Sequence, residues 1–222
     1  MIIYGSTISP FVRKAVVFAR EKGVEVELRP GGMGRGGDEF EEASPFRKMP
    51  ALRDPGADGG RDFTISDSTA IVQYLEAKHP EPNLIPTDAI GRARAIWYEE
   101  FGDTIVMAVG GKLFGNRFVR PKLLKVEGDL AAADAAERDE LPPILDYLER
   151  CVPDSGFLVE DRLTLADIAV ASPFVNYGWV GVAVDGTRYP RTVSYLDNIL
   201  ARPSFADLVA KDGAVVQRLS AA

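Results

Sequence analysis

Residues 1–14 read MIIYGSTISPFVRK. The run is a short buried strand, a turn rich in hydroxyls, and a helix opened by proline. Ile2, Ile3 and Tyr4 make the strand, Gly5 lets the backbone turn, and Ser6, Thr7 and Ser9 fill the connection. Pro10 suits the first position of a helix, where a backbone N–H would have no partner to lose. Ser9 then stands where a helix N-cap belongs. Two readings follow from these residues alone. The Ser9 hydroxyl caps its own helix, or it is aimed at an anion held at the helix's positive end.

Outward from this corner, the first 80 residues alternate strand and helix signals. A helix is predicted from Pro10 to about Lys22, with Val12, Ala15, Val16 and Ala19 near one face and Gly23 as its stop. Val24, Val26 and Leu28 alternate with Glu25, Glu27 and Arg29, the pattern of a half-buried strand. The glycine-rich loop from Pro30 to Gly37 lacks phosphate-loop spacing and reads as a mobile connection. A short helical turn is expected over Asp38 to Ala43. Ala51–Asp54 and Phe63–Ser66 read as strands of a hairpin, with Pro55, Gly56, Gly59 and Gly60 in its loop. Ser66 or Asp67 caps a helix running to about Lys78, with Ala70, Ile71, Tyr74 and Leu75 inward. The order is βαβ, then ββα. The first unit should pair its strands in parallel through a right-handed crossover, and the hairpin should add antiparallel strands.

From Thr87 onward the patterning is helical. Thr87–Gly110 and Lys122–Val152 are predicted as the two longest helices, with Leu130, Leu141, Ile144, Leu145 and Leu148 supplying the second one's apolar stripe. Thr164 and Asp167 stand at capping-box spacing, flanked by Leu163 and Ile168 as a hydrophobic staple. A mostly apolar, buried helix should follow to about Val182, with Pro173 kinking or restarting it. Further helices are expected near Tyr189–Ala201 and Phe205–Val209. The domains are therefore 1–80, a proline-marked linker at 81–86, and an all-helical domain at 87–222.

Composition narrows the function. The 222 residues are 46% hydrophobic and 27% charged, an ordinary globular balance, and the formal net charge is -7. That charge argues against nucleic acid as a main partner. No apolar run is long enough to span a bilayer, so no membrane association is expected. The chain opens directly on a strand without a basic-then-apolar leader, which predicts a cytoplasmic location. One cysteine, Cys151, and one histidine, His79, exclude an internal disulfide framework and a Cys/His zinc cluster, and no metal is expected.

The chain resembles the cytosolic glutathione transferases, in a bacterial-like form with a serine-type active-site corner, the class left open. Four stretches carry the resemblance, in order and over nearly the whole length. They are Tyr4 to Lys14; Lys48-Met49-Pro50-Ala51-Leu52; Ile65 to Leu75 with its Asp67-Ser68 pair; and Leu163–Asp167, followed later by Tyr195 to Phe205 with its Arg202-Pro203-Ser204-Phe205 ending. The resemblance implies a thioredoxin-like α/β N-terminal domain that binds glutathione, followed by an all-α domain that contributes the electrophile pocket. It implies a detoxifying transferase that works as a homodimer. Two departures stand out: the glycine-rich loop, and an Ala43-Ser44-Pro45-Phe46-Arg47 segment before Lys48.

The resemblance also implies roles for residues. Ser9 would hydrogen-bond the glutathione sulfur and stabilise its thiolate, with Ser6 and Thr7 as competitors. A free cysteine thiol titrates near about 8.5, so neutral pH leaves little thiolate without help. Met49-Pro50, with a cis bond, would present the Met49 peptide groups to the tripeptide backbone, and Lys48 would supply positive charge for its carboxylates. Asp67 and Ser68 would hold the γ-glutamyl end. Tyr98, Phe101 and Phe114 would line the second substrate's pocket, that substrate being a small, apolar electrophile; Met107 and Phe118 are further candidates. Each also has a plainer reading: a cap, a trans proline opening a strand, a solvated cation, a core aromatic. The wider alternatives are a glutathione-dependent isomerase or dehalogenase, and a noncatalytic glutathione-binding or scaffolding protein.

Overall fold

In the computed structural model, which describes residues 1–221, strand β1 (Ile2–Tyr4) is enclosed almost completely, with Ile3 and Tyr4 at 0% and 1% exposure. Burial follows from its place in a four-stranded sheet ordered β2-β1-β3-β4. β2 (Glu27–Arg29) pairs with β1 in parallel, and β3 (Ala51–Asp58) pairs with it antiparallel. β4 (Arg61–Ser66) closes the hairpin on β3. The helices of this unit are α1 (Pro10–Glu21), α2 (Gly37–Ala43) and α3 (Ser68–Lys78). The parallel opening pair and the antiparallel hairpin are as the sequence predicts. Contacts divide the chain after Leu84, into Met1–Leu84 and Ile85–Ala222.

Three details of this unit differ from expectation. β2 starts later than Val24, and Leu28 is 38% exposed because the strand lies at the sheet's edge with a neighbour on one side only. The hairpin is longer than predicted: Pro55 and Gly56 lie within β3, where the register shifts between Asp54 and Asp58. A proline is tolerated there because a bulge frees its position from the ladder. Tyr74 is only half-buried, since its ring stacks on Phe63 at 4.6 Å while its hydroxyl donates to Asp54 at 2.6 Å.

The second unit is all-helical. Its helical path is unbroken from Ala89 to Leu123: α4 (Ala89–Glu100) and α5 (Met107–Phe114) are joined and extended by wider, π-type turns at Phe101–Val106 and Gly115–Leu123. The expected helix from Lys122 instead begins at Leu130. The chain reverses between the two, and Gly128 sits where a Cβ would stand 1.9 Å from the Asn116 carbonyl oxygen. Periodicity cannot report such a reversal, because it depends on two backbones meeting. α6 (Leu130–Ala135) and α7 (Leu141–Cys151) are again joined by a widened turn at Ala136–Glu140. Pro142 and Pro143 follow, which cannot donate to the carbonyls one turn back.

α8 (Leu165–Trp179) is the buried axis of this unit. Every residue from Leu165 to Tyr177 is buried, and Pro173 lies inside without ending the helix. The helix stops at Trp179, short of Val182. α9 (Pro190–Leu200) matches expectation, and α10 (Pro203–Ala221) runs far beyond the predicted Val209. No described helix is long and apolar enough to cross a membrane.

Candidate active site

The sheet register decides where the predicted residues meet. Tyr4 lies opposite Arg29 on one side and Ala51 on the other, and Ala51 lies opposite Ser66. These four residues form one row across the sheet. The segments that leave or enter that row are Gly5–Ser9, Pro30–Gly37, Lys48–Pro50 and Asp67–Ser68. All four therefore gather at one end of the sheet, where the parallel strands β1 and β2 finish. That end is where open α/β sheets commonly hold ligands.

Ser9 occupies the N-cap position of α1 with extended backbone, but its side chain makes no capping bond. Its backbone is tied instead: the N–H donates to Ser6 O at 2.9 Å, and the carbonyl accepts from Arg13 N at 2.9 Å. The first turn of α1 carries no acidic residue, so the helix's positive end is not neutralised from within. Of the competing hydroxyls, Ser6 is exposed and accepts from Ile8 N at 3.4 Å, while Thr7 is buried at 3% exposure. The Tyr4 hydroxyl donates to Glu39 at 3.3 Å.

The Met49–Pro50 bond is cis. Ser44 holds the approach to it, donating from its hydroxyl to Lys48 O at 2.7 Å and accepting from Lys48 N at 3.0 Å. The backbone groups of Met49 bond to nothing among the described residues. Arg47 is paired with Glu41 at 3.0 Å, whereas exposed Lys48 has no ion-pair partner among the described residues.

Asp67, not Ser66, caps α3. Its carboxylate accepts from Thr69 N at 2.8 Å and Ala70 N at 3.3 Å, and its own N–H donates to Pro50 O at 3.2 Å. The last bond ties the α3 entry to the cis-proline turn. Asp67 has φ of 88°, an unusual value for a non-glycine residue. Ser68 is buried at 3% exposure, one residue inside the helix.

The glycine-rich loop is packed into this end of the sheet. Gly31 and Gly32 are both buried. A Cβ on Gly31 would stand 2.9 Å from both Tyr4 Cβ and the Phe40 ring, and one on Gly32 would stand 3.0 Å from the Met49 sulfur. Composition reads such a run as slack. Here the missing side chains let the loop lie against the site. Arg13, which belongs to the Tyr4–Lys14 motif and reads from sequence as a structural or interface charge, is fully buried beneath the corner.

The aromatic candidates lie in the helical unit, in two separate groups. Tyr98 and Phe101 are buried at 9% and 3% exposure, and the Phe101 ring meets Tyr147 at 5.1 Å and Trp97 at 6.4 Å. Burial, with Tyr147 and Cys151 close by, holds the Tyr98 phenol well above its ordinary range, so it stays neutral. Phe114, at 7% exposure, stacks on Phe118 at 4.9 Å and tilts against Trp179 at 6.2 Å. The described residues hold no group of three or more His, Cys, Asp or Glu placed for a metal ion.

Comparison with known proteins agrees with this geometry along the chain. The family description "Glutathione S-transferase, N-terminal domain" matches residues 3–83, and "Glutathione S-transferase, C-terminal domain" matches residues 124–212. The chain is 31% identical over 213 residues to the "Uncharacterized GST-like protein YibF" of Escherichia coli, covering 93% of this chain and 96% of that one. The chain belongs to the glutathione S-transferase family. A glutathione S-transferase of Hyoscyamus muticus is 29% identical over 217 residues, covering 94% of this chain and 97% of that one. Among solved structures, a family member from Methylobacterium radiotolerans in complex with glutathione sulfonate is similar with a TM-score of 0.73 and 29% identity. It covers 94% of this chain and 93% of that one. The family's two-part order, a mixed four-stranded sheet unit followed by a helical unit, is the order seen here.

Proposed function

We propose that this family member is a glutathione-dependent transferase in which Ser9 stabilises the thiolate for attack on a small, apolar electrophile. The observation that carries the reading is the shared row of Tyr4, Ala51 and Ser66, which brings to one end of the sheet three polar points with no partner among the described residues. They are the Ser9 hydroxyl, the Met49 peptide groups and the Ser68 hydroxyl. An extended tripeptide needs such a series: a donor for sulfur, a backbone edge for its central residue, and donors for the γ-glutamyl carboxylate.

In this reading Met49 pairs with the cysteinyl backbone, as a short added strand would. The α3 start and Ser68 take the γ-glutamyl carboxylate, and Asp67, already spent in part on the cap, faces the amino group. Lys48 attracts the remaining carboxylate. The glutathione thiol loses its proton to water as it binds, and the Ser9 O–H donates to the sulfur that remains. Lowering the thiol pKa by about two units takes about 2.7 kcal/mol. One charge-assisted hydrogen bond and the N-terminus of α1 are together of that size. The sulfur then forms a bond to an electrophilic carbon, and the leaving group departs or the adduct is protonated. The protein acts as a homodimer, which light scattering would check.

The direct test is ultraviolet titration of bound glutathione in wild type and Ser9→Ala. A bound thiol titrating well below the free value in wild type, and near it in the variant, supports the role. Equal titration in both sinks it. Tight glutathione binding without turnover of aryl halides, epoxides or activated alkenes would instead favour a noncatalytic carrier or scaffold.

A further inference from the structure

We propose that Arg13 is a positioning residue for the thiolate site, setting the direction in which Ser9 presents its hydroxyl; the inference rests on the Ser9 reading above. Arg13 has 0% exposure, which is rare for a guanidinium and costly without strong partners. Its helix neighbours Val12, Ala15 and Val16 are buried and apolar, so packing alone would be served by another aliphatic residue. What an aliphatic residue would lack is the forked set of donors.

Side chains on a helix lean toward its N-terminus, so Arg13 reaches back over the turn before α1. Its Nε donates to Thr7 O at 3.1 Å and its Nη2 to Ile8 O at 3.2 Å. Those carbonyls belong to the two peptide planes that lead into Ser9. The next plane is held by Ser9 O accepting from the Arg13 backbone N–H at 2.9 Å. The arginine fork thus fixes the backbone leading into Ser9, and the ordinary helical bond fixes the plane after it. The Ser9 side chain makes no capping bond that would orient it directly. The direction of its Cα–Cβ bond, and so the reach of its hydroxyl, comes from the backbone that Arg13 holds. A site working through a single hydrogen bond is sensitive to displacements well under 1 Å.

The test compares Arg13→Lys and Arg13→Met with Ser9→Ala, and uses Lys22→Met as a matched control. Lys22 is another buried cation further along the chain, bonded to Glu76 and to Pro82 O, both at 2.7 Å. The readouts are the titration of bound glutathione, the pH profile of kcat/KM and the thermal midpoint. Arg13→Met should raise the bound thiol's pKa by about one unit and lower kcat at slightly acidic pH about tenfold, with a smaller change in KM for glutathione. Arg13→Lys keeps the charge but not the fork, so it should fall between wild type and Arg13→Met. Lys22→Met should lower the midpoint and leave the thiol where it is. If Arg13→Met does not fold, Arg13→Lys decides. An unmoved thiol in every folded Arg13 variant, with a raised one in Ser9→Ala, overturns the proposal and leaves the Ser9 role standing. An unmoved thiol in Ser9→Ala removes both.

Discussion

Helices α1 and α8 start with the same kind of signal, a hydroxyl residue before an apolar run, and use it in opposite ways. At α8 the polar groups close on themselves. Asp167 accepts from Thr164 N and from Leu158 N, each at 2.9 Å, and the Thr164 hydroxyl donates to it at 3.3 Å. Thr164 and Asp167 are both at 0% exposure. At α1 the Ser9 hydroxyl makes no capping bond, and the first turn has no acidic residue. The buried start must satisfy its own backbone, because no solvent reaches it. The half-buried start can leave its donor for something else. On the proposed function, stability resides in the first start and chemistry in the second, and substitutions at the two should separate accordingly.

The largest effect is expected at Asp167. Asp167→Ala leaves two buried N–H groups unpaired and should cost about 3 kcal/mol or more in denaturant unfolding, while kcat/KM per folded molecule stays near wild type. Burial pushes the Asp167 carboxyl up to about 6, against the pull of the Leu158 and Thr164 donors. A raised folded-state pKa favours folding below the unfolded value, and that benefit is lost as pH rises through about 6. Asp167→Asn, which does not titrate, should therefore cost more at pH about 4 than at pH about 7. The opposite trend in paired unfolding curves would mean that the donors outweigh burial.

Ser9→Ala should show the reverse profile. A loss of about 2.7 kcal/mol in transition-state stabilisation is about a hundredfold in kcat/KM, with unfolding free energy within about 0.5 kcal/mol of wild type. A large loss of stability would make Ser9 a structural cap after all and erase the contrast with α8. Gly31→Ala asks how much of the corner's support comes from the loop after β2. Its Cβ would press on Tyr4 and Phe40, so overpacking of about 1–3 kcal/mol is expected by thermal unfolding. A neutral result would mean that the loop shifts freely, as composition suggests. The smallest change is expected for Ser68→Ala, about 1 kcal/mol in glutathione affinity by calorimetry with little change in the bound thiol's titration. That outcome would separate holding the ligand's end from activating its sulfur.

Most of the sheet unit was legible because its signals are local. Proline at the start of α1, alternation before Arg29 and turn residues in the hairpin each act within a few residues. Misjudged boundaries share a cause: they were set by contacts across the fold. Gly128 marks a chain reversal only because Asn116 is there to meet it, and Pro55 stays in β3 only because a bulge accommodates it. The site divides in the same way. Ser9, Met49-Pro50 and Asp67-Ser68 could be picked out as motifs, but the roles of Gly31, Gly32 and Arg13 show only in their neighbours.

By itself, the sequence determined the element order, the apolar faces and the chemical inventory of the corner, since these depend on residue type and short spacing. Only the tertiary structure showed that the Ser9 side chain makes no capping bond. Whether a hydroxyl caps its helix depends on the backbone direction at that residue, and here the direction is imposed by Ser6 O and by Arg13, folded back from the helix that Ser9 begins.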